Sequence, residues 1–179
     1  MPLRLTNSLS RQKEDFETVL PGHVGLYVCG PTVYGDPHLG HAKTYVSFDV
    51  IVRYLRFCGY TVTYIQNITD VGHLVGDEDD GADKVLQKAR EINRQPMAIV
   101  EHYTCRHFAM MDRLQVKRPD ISPRATGHIP EQLQLIETLL AQGKAYERNG
   151  SIYFDVSQDS GYGTLSGRKG EDMLSGTRV

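Results

Sequence analysis

The sequence predicts an α/β chain: the opening of a doubly wound parallel sheet, followed by a small α+β unit. Three observations carry that prediction. Val24 to Cys29 is a short, nearly continuous apolar run, the pattern of a strand buried on both faces of a parallel sheet. A helical periodicity follows in Tyr45, Phe48, Ile51 or Val52, Leu55 and Cys58, and it ends at Gly59, where a C-cap glycine belongs. Thr61 to Ile68 then reads as a second strand, rich in β-branched residues. Strand, helix and strand with short joints make one right-handed βαβ unit. On this reading Cys58 packs on the apolar face of its helix.

The elements beyond the unit follow from local signals. Asp77 to Gly81 is an acidic loop, and such runs are expected to be solvated rather than metal-binding. Ala82 to Asn93 and Met97 to Leu114 read as two helices, with Pro96 as the first-turn proline of the second. Pro119 and Pro123 stop that helix and reset the chain direction. A domain boundary is therefore expected at 118/119, between an α/β part over 1–118 and a small α+β unit over 119–179. In the latter, Pro130 to Leu140 is helical up to Gly143, and Asn149-Gly150 is a type I′ turn joining a hairpin over 146–154. The stretch from Ser157 onward is rich in Gly and Ser and predicts no element.

Composition narrows the function classes. At 179 residues the chain is long enough for one core, or a core with a small lobe. With 40% apolar and 23% charged residues it has a soluble globular profile. A formal charge of −2 argues against a chain built to coat nucleic acid, while leaving room for a modest RNA contact. No apolar run approaches the ~20 residues of a membrane helix. Met1 to Asp15 carries Arg4, Arg11 and Lys13 but no apolar stretch, so no secretory signal is expected. Cys29, Cys58 and Cys105 form no disulfide framework, and a cytoplasmic location follows as the expectation.

The segment with chemical content is Cys29 to His41, which leaves the first strand and enters the first helix, with the nucleotide signature within Pro31 to His41. Ligands of open α/β sheets bind outside the carboxyl ends of the strands. Here His38 and His41 flank Gly40 at a helix N-terminus, where free N–H groups and the helix dipole favour an anion. Imidazole donors beside that anion would stabilise charge building on a phosphate, and Gly40 would let a flat base or ribose approach the backbone. Ordinary surface or capping histidines give the same spacing. His102, Cys105 and His107 suggest a metal site at first sight, but His107 projects from a different helix face than His102, so packing or surface positions are expected.

The string His38-Leu-Gly-His41 after a first strand resembles the ATP signature of class I aminoacyl-tRNA synthetases. Leu26 to Tyr34, Phe48-Asp49, Arg53-Tyr-Leu55, Gly59-Tyr60 and Asn67 to Val71 are similar to the cysteinyl-tRNA synthetase family in particular. So are Arg124 to Ile129, Gly143 to Tyr146, Tyr153 to Val156 and Gly176 to Val179. The resemblance implies the first half of a class I synthetase Rossmann-like sheet with part of a connective insertion. It implies ATP (with Mg2+), cysteine and tRNA(Cys) as ligands, His38 and His41 as catalytic residues, and Gly40 in the nucleotide site. It makes Cys29 one of four ligands of a zinc ion that also binds the substrate thiol, with Gly30 and Thr69 close to the amino acid. Zinc takes thiolate readily and would separate cysteine from serine, which an ordinary pocket discriminates poorly. A small buried cysteine and a plain Asx or Thr turn are the alternative readings of Cys29 and Thr69.

The family's other three zinc ligands, its Lys-Met-Ser-Lys-Ser loop and its anticodon-binding region are expected beyond Val179. The 179 residues alone are therefore expected to bind zinc weakly or not at all, and to be inactive without the missing C-terminal half. Val71 to Leu74 departs from the family's more acidic run, so no role is read into His73. Rival readings are a cysteine ligase of mycothiol biosynthesis, which usually has isoleucine and proline where Pro31 and Val33 stand, a non-catalytic paralogue that kept half the fold, and a general nucleotidylyltransferase.

Overall fold

The computed structural model describes residues 3–72 and 83–167; His73, the 77–81 loop and the 176–179 match lie outside them. The strands are β1 (Arg4–Thr6), β2 (Lys13–Asp15), β3 (His23–Val28), β4 (Thr61–Gln66), β5 (Ala145–Arg148) and β6 (Ser151–Phe154). The helices are α1 (Leu39–Phe57), α2 (Lys84–Glu91), α3 (Pro96–Arg113) and α4 (Ile129–Ala141). Contacts divide the chain into one unit over 18–128 and another made of the amino-terminal 17 residues with 129 onward.

The first unit is the βαβ motif. β3 and β4 are parallel, in register from His23 opposite Thr61 to Val28 opposite Gln66. Paired residues share a face, and burial alternates: Val24 and Val28 are buried with Val62, Tyr64 and Gln66. The other face is open among the described residues, Tyr27 being 59% exposed. The apolar run thus marks a half-covered strand rather than one buried twice, because α1 and α3 both lie on the same side. Tyr45, Asp49, Val52 and Leu55 form the buried stripe of α1. Cys58 is the C-cap residue and is exposed. It falls off the stripe because Gly59, at φ +91°, turns the chain out of the helix.

Beneath the loop after β3, Val33 and Ile68 pack with Val85, Ala89, Ile99 and Val100 into a second cluster against Tyr103 and Phe108. Asp49 ties α1 to the exit of α3, accepting from Arg53 Nε at 2.6 Å and from the Lys117 amide at 2.8 Å. Residues 119–128 run along the free edge of β4. Ile121 bridges Ile65 and Arg124 bridges Ile68. The Asp120 carboxylate accepts from the Tyr64 amide at 2.7 Å, and Asp70 accepts from the Thr126 amide and hydroxyl. In the second unit, Asn149 (φ 53°) and Gly150 (φ 77°) make the tight turn between β5 and β6, as the primed turn type requires.

One close approach sets the geometry at the carboxyl end of the sheet. A Cβ on Gly30 would lie 1.5 Å from the carbonyl oxygen of Asn67. Only glycine lets the two strand ends run this close. Gly30→Ala is expected to destabilise the chain by about 2–3 kcal/mol, the upper part of the range of an overpacking defect, because backbone rather than a pliable side chain must move. Chemical denaturation measures this, and an alanine variant of unchanged stability would contradict the register described.

His107 of α3 is 2% exposed. Its Nε2 lies 3.4 Å from Gln66 Oε1, and Gln66 Nε2 donates to the Tyr64 hydroxyl at 3.2 Å. Nδ1 has no partner among the described residues. Burial, then the nearby His41 and Arg118, push its pKa down to about 4. The folded state therefore holds His107 neutral, while the unfolded imidazole takes a proton below its ordinary pKa of about 6.5. The associated stability is complete above about pH 6.5 and is lost as pH falls toward about 4, an amount on the order of 2–3 kcal/mol. Denaturation at about pH 7 and about pH 4.5 should show that loss, and His107→Leu should flatten much of it. An equal pH dependence in the variant would remove His107 as its source.

Candidate active site at the end of the parallel pair

The two histidines of the helix start bind each other's turn. His38 is the N-cap of α1, with extended backbone. Its Nδ1 accepts from the Gly40 amide at 3.1 Å, and His41 Nδ1 accepts from the His38 amide at 3.1 Å. The arrangement is a capping box built from imidazoles in place of hydroxyl and carboxylate. The capping alternative is thus present in the structure, and it has a chemical consequence. A ring nitrogen that accepts carries no proton, so each neutral ring bears its hydrogen on Nε2. The rings lie 4.0 Å apart between centroids. Burial, then the neighbouring His38, lower the His41 pKa below its ordinary value, which favours the neutral form that the cap needs.

The amides of His38 and Gly40 donate inside the box, and each imidazole keeps its Nε2–H as a further donor. The flat group over Gly40 in the structure is the His38 ring itself. A Cβ there would come within 2.9 Å of His38 Cε1 and 3.0 Å of Nδ1. Gly40 is therefore required by the cap before any ligand arrives.

A cavity of about 240 Å³ opens in front of the pair, lined by Thr32, Tyr34, Gly35, Asp36, His38 and His41. Asp36 is held by an ion pair with Arg106 of α3. A larger recess of about 800 Å³ runs along the β1–β2 hairpin. Its lining holds no histidine or cysteine, so size does not mark the site here.

Cys29 and Thr69 do not line the cavity; they occupy the strand ends behind it. Cys29 is exposed at the tip of β3, not sealed in the core. The Gly30 amide donates to Asn67 Oδ1 at 2.7 Å, and Asn67 Nδ2 donates to the Thr69 hydroxyl at 3.1 Å. Asn67 thus links the Gly30 amide to the Thr69 side chain, while Thr69 also exchanges backbone hydrogen bonds with Pro31 and Val33. Tyr45 joins the two groups of residues, its hydroxyl donating to the Cys29 carbonyl at 3.3 Å.

Zinc needs three or four protein ligands. Among the described residues no group of three or more His, Cys, Asp or Glu is placed to hold a metal ion. The donor set fits one ligand of such a site and no more. His102 and Cys105 are exposed and His107 is buried, which separates that trio. Sequence reasoning passes over Asn67, Arg106 and Tyr45; the first two act over long sequence separations, and the third reads as an ordinary core aromatic.

The family described as the tRNA synthetases class I (C) catalytic domain matches residues 15–179. The cysteine--tRNA ligase of Chlorobium chlorochromatii is 58% identical over 180 aligned positions, covering 100% of this chain and 38% of that protein. A cysteine--tRNA ligase of Thermus thermophilus is 53% identical, over 100% of this chain and 37% of its own length. Among solved structures, Mycobacterium tuberculosis methionyl-tRNA synthetase in complex with methionyl-adenylate superposes with a TM-score of 0.55. It shares 25% sequence identity over 68% of this chain and 23% of that one. The chain spans well under half the length of the curated relatives it matches. These matches give the mycothiol-ligase reading no support. The half-covered parallel pair, the imidazole-capped helix and the match from residue 15 onward agree that the chain belongs to the cysteine branch of the class I tRNA synthetase catalytic-domain family.

Proposed function

We propose that this chain supplies the nucleotide-facing half of an enzyme that activates cysteine with ATP and transfers it to tRNA(Cys). The observation that carries the reading is the reciprocal imidazole cap. It fixes two Nε2–H donors at the start of α1, against a cavity at the carboxyl end of a parallel pair, with the thiol of Cys29 at the neighbouring strand tip.

The chemistry suits such donors. The amino acid carboxylate attacks the α-phosphorus, an O–P bond forms, and pyrophosphate leaves. The nucleophile arrives ionised, so no base is required. Positioning and stabilisation of charge on the phosphate oxygens do most of the work. A pair of neutral imidazoles held by their Nδ1 atoms needs no reorientation when that charge develops. His38 and His41 are thereby assigned to the phosphates, Gly40 to the backbone turn that carries them, and Gly30 and Thr69 to the side of the substrate cysteine. Magnesium accompanies ATP.

Zinc, when bound, would supply a thiolate-selective Lewis acid. Cys29 is one candidate ligand, and the remaining ligands lie outside the described residues. The reading assigns 1–118 to the nucleotide-binding half and 119–179 to a connective insertion. It takes the active enzyme to be longer, completed by a further half with its own ligands and tRNA contacts, and cytoplasmic. No described helix is long and apolar enough to cross a membrane.

The test is cysteine-dependent ATP–pyrophosphate exchange by the enzyme from its complete reading frame. Exchange with cysteine and not with serine is expected, and its absence would overturn the reading. His38→Asn then separates capping from donation. Asparagine is an equally good N-cap, so the thermal midpoint should stay within a few degrees. The lost Nε2–H should lower kcat by about 10²-fold, the usual cost of one such donor. Full exchange activity in the asparagine variant would show that His38 serves the helix alone.

A further inference from the structure

Tyr45 stands where the amino acid side and the nucleotide side of the proposed site meet. It is 3% exposed and lies one turn after His41 on α1. Its ring runs nearly parallel to that of His41, at 14° and 6.3 Å between centroids. Its contact with the His107 ring is T-shaped, at 5.1 Å. Its hydroxyl donates to the Cys29 carbonyl at 3.3 Å.

The Cys29 carbonyl belongs to the same peptide unit as the Gly30 amide, and that amide donates to Asn67 at 2.7 Å. The unit is trans, so its two polar ends point in opposite directions. Tyr45 from α1 holds one end and Asn67 from the end of β4 holds the other. The Cα of Cys29 lies in this plane, so a shift of the unit away from either partner would carry that Cα, and with it the sulfur. Packing alone does not call for the hydroxyl, because phenylalanine fills the same space against His41 and His107.

We propose that Tyr45 is a positioning residue for cysteine activation: its hydroxyl locks the Cys29–Gly30 peptide while its ring backs His41, so the strand tip keeps a fixed offset from the imidazole pair. The proposal rests on the cysteine-activation reading above. That offset decides how the substrate carboxylate meets the α-phosphorus, and small misplacements at that step are costly in rate.

The experiment is Tyr45→Phe in the enzyme from its complete reading frame, assayed by cysteine-dependent pyrophosphate exchange. Active sites are counted by the burst of adenylate formation, so that misfolded molecules do not enter the rate. The expected result is a fall in kcat per counted site on the order of ten-fold, with KM for ATP within about two-fold. A rate per site within about two-fold of wild type overturns the proposal, whether or not fewer sites are counted, because the hydroxyl is then structural. A wild-type enzyme without cysteine-dependent exchange fails at the first measurement and removes the underlying reading as well, which distinguishes the two failures.

Discussion

Two hydrogen bonds at the start of α1 organise everything around them. Each imidazole gives its Nδ1 to a backbone amide of the turn that carries the other ring. The helix start is therefore stabilised by the same side chains that present donors to the cavity. A serine or aspartate cap would satisfy the amides equally well but would leave nothing reaching outward. The cap also explains local sequence demands that look independent: Gly40 must lack a Cβ because the His38 ring covers it, and His41 must stay neutral to accept. Burial of His41 favours that neutral state.

The second constraint is the spacing between the ends of β3 and β4. In-register parallel pairing brings Gly30 against the Asn67 carbonyl, and Asn67 then grips the Gly30 amide with its side chain. From there the contacts run outward in two directions. Thr69 pairs with Pro31 and Val33, and Asp70 reaches Thr126. The strand tip, the loop that lines the cavity and the segment along the edge of β4 are thus fastened to one another by hydrogen bonds. The exposed thiol of Cys29 sits beside a peptide held at both of its polar ends.

Much of this is legible in the sequence where the signal is local. The helical period from Tyr45 to Leu55 locates α1, Gly59 its end, Pro96 the start of α3 and Asn149-Gly150 the hairpin turn. Each depends on backbone chemistry within a few residues. The same period misplaces Cys58, because periodicity continues past the point where a left-handed glycine ends the helix. The apolar run of β3 suggests burial on both faces, but burial depends on which elements cover the sheet, and α1 and α3 share one side. At the candidate site the placement of His38 and His41 at a strand-end helix start is readable from spacing. Their mutual cap is not, since imidazole is a rare capping group. Asn67, 37 residues from Gly30, and Tyr45, indistinguishable in pattern from a core aromatic, act through tertiary contacts that no local pattern encodes.

The central claim concerns where two protons sit. Long-range proton–nitrogen correlation NMR reports directly which ring nitrogen of each histidine is protonated. At about pH 7.5 both His38 and His41 should show the Nε2–H tautomer, with Nδ1 shifted as a hydrogen-bond acceptor. His41 should also titrate below the ordinary imidazole value. An Nδ1–H tautomer at either residue, or a His41 that titrates above that value, would contradict the account.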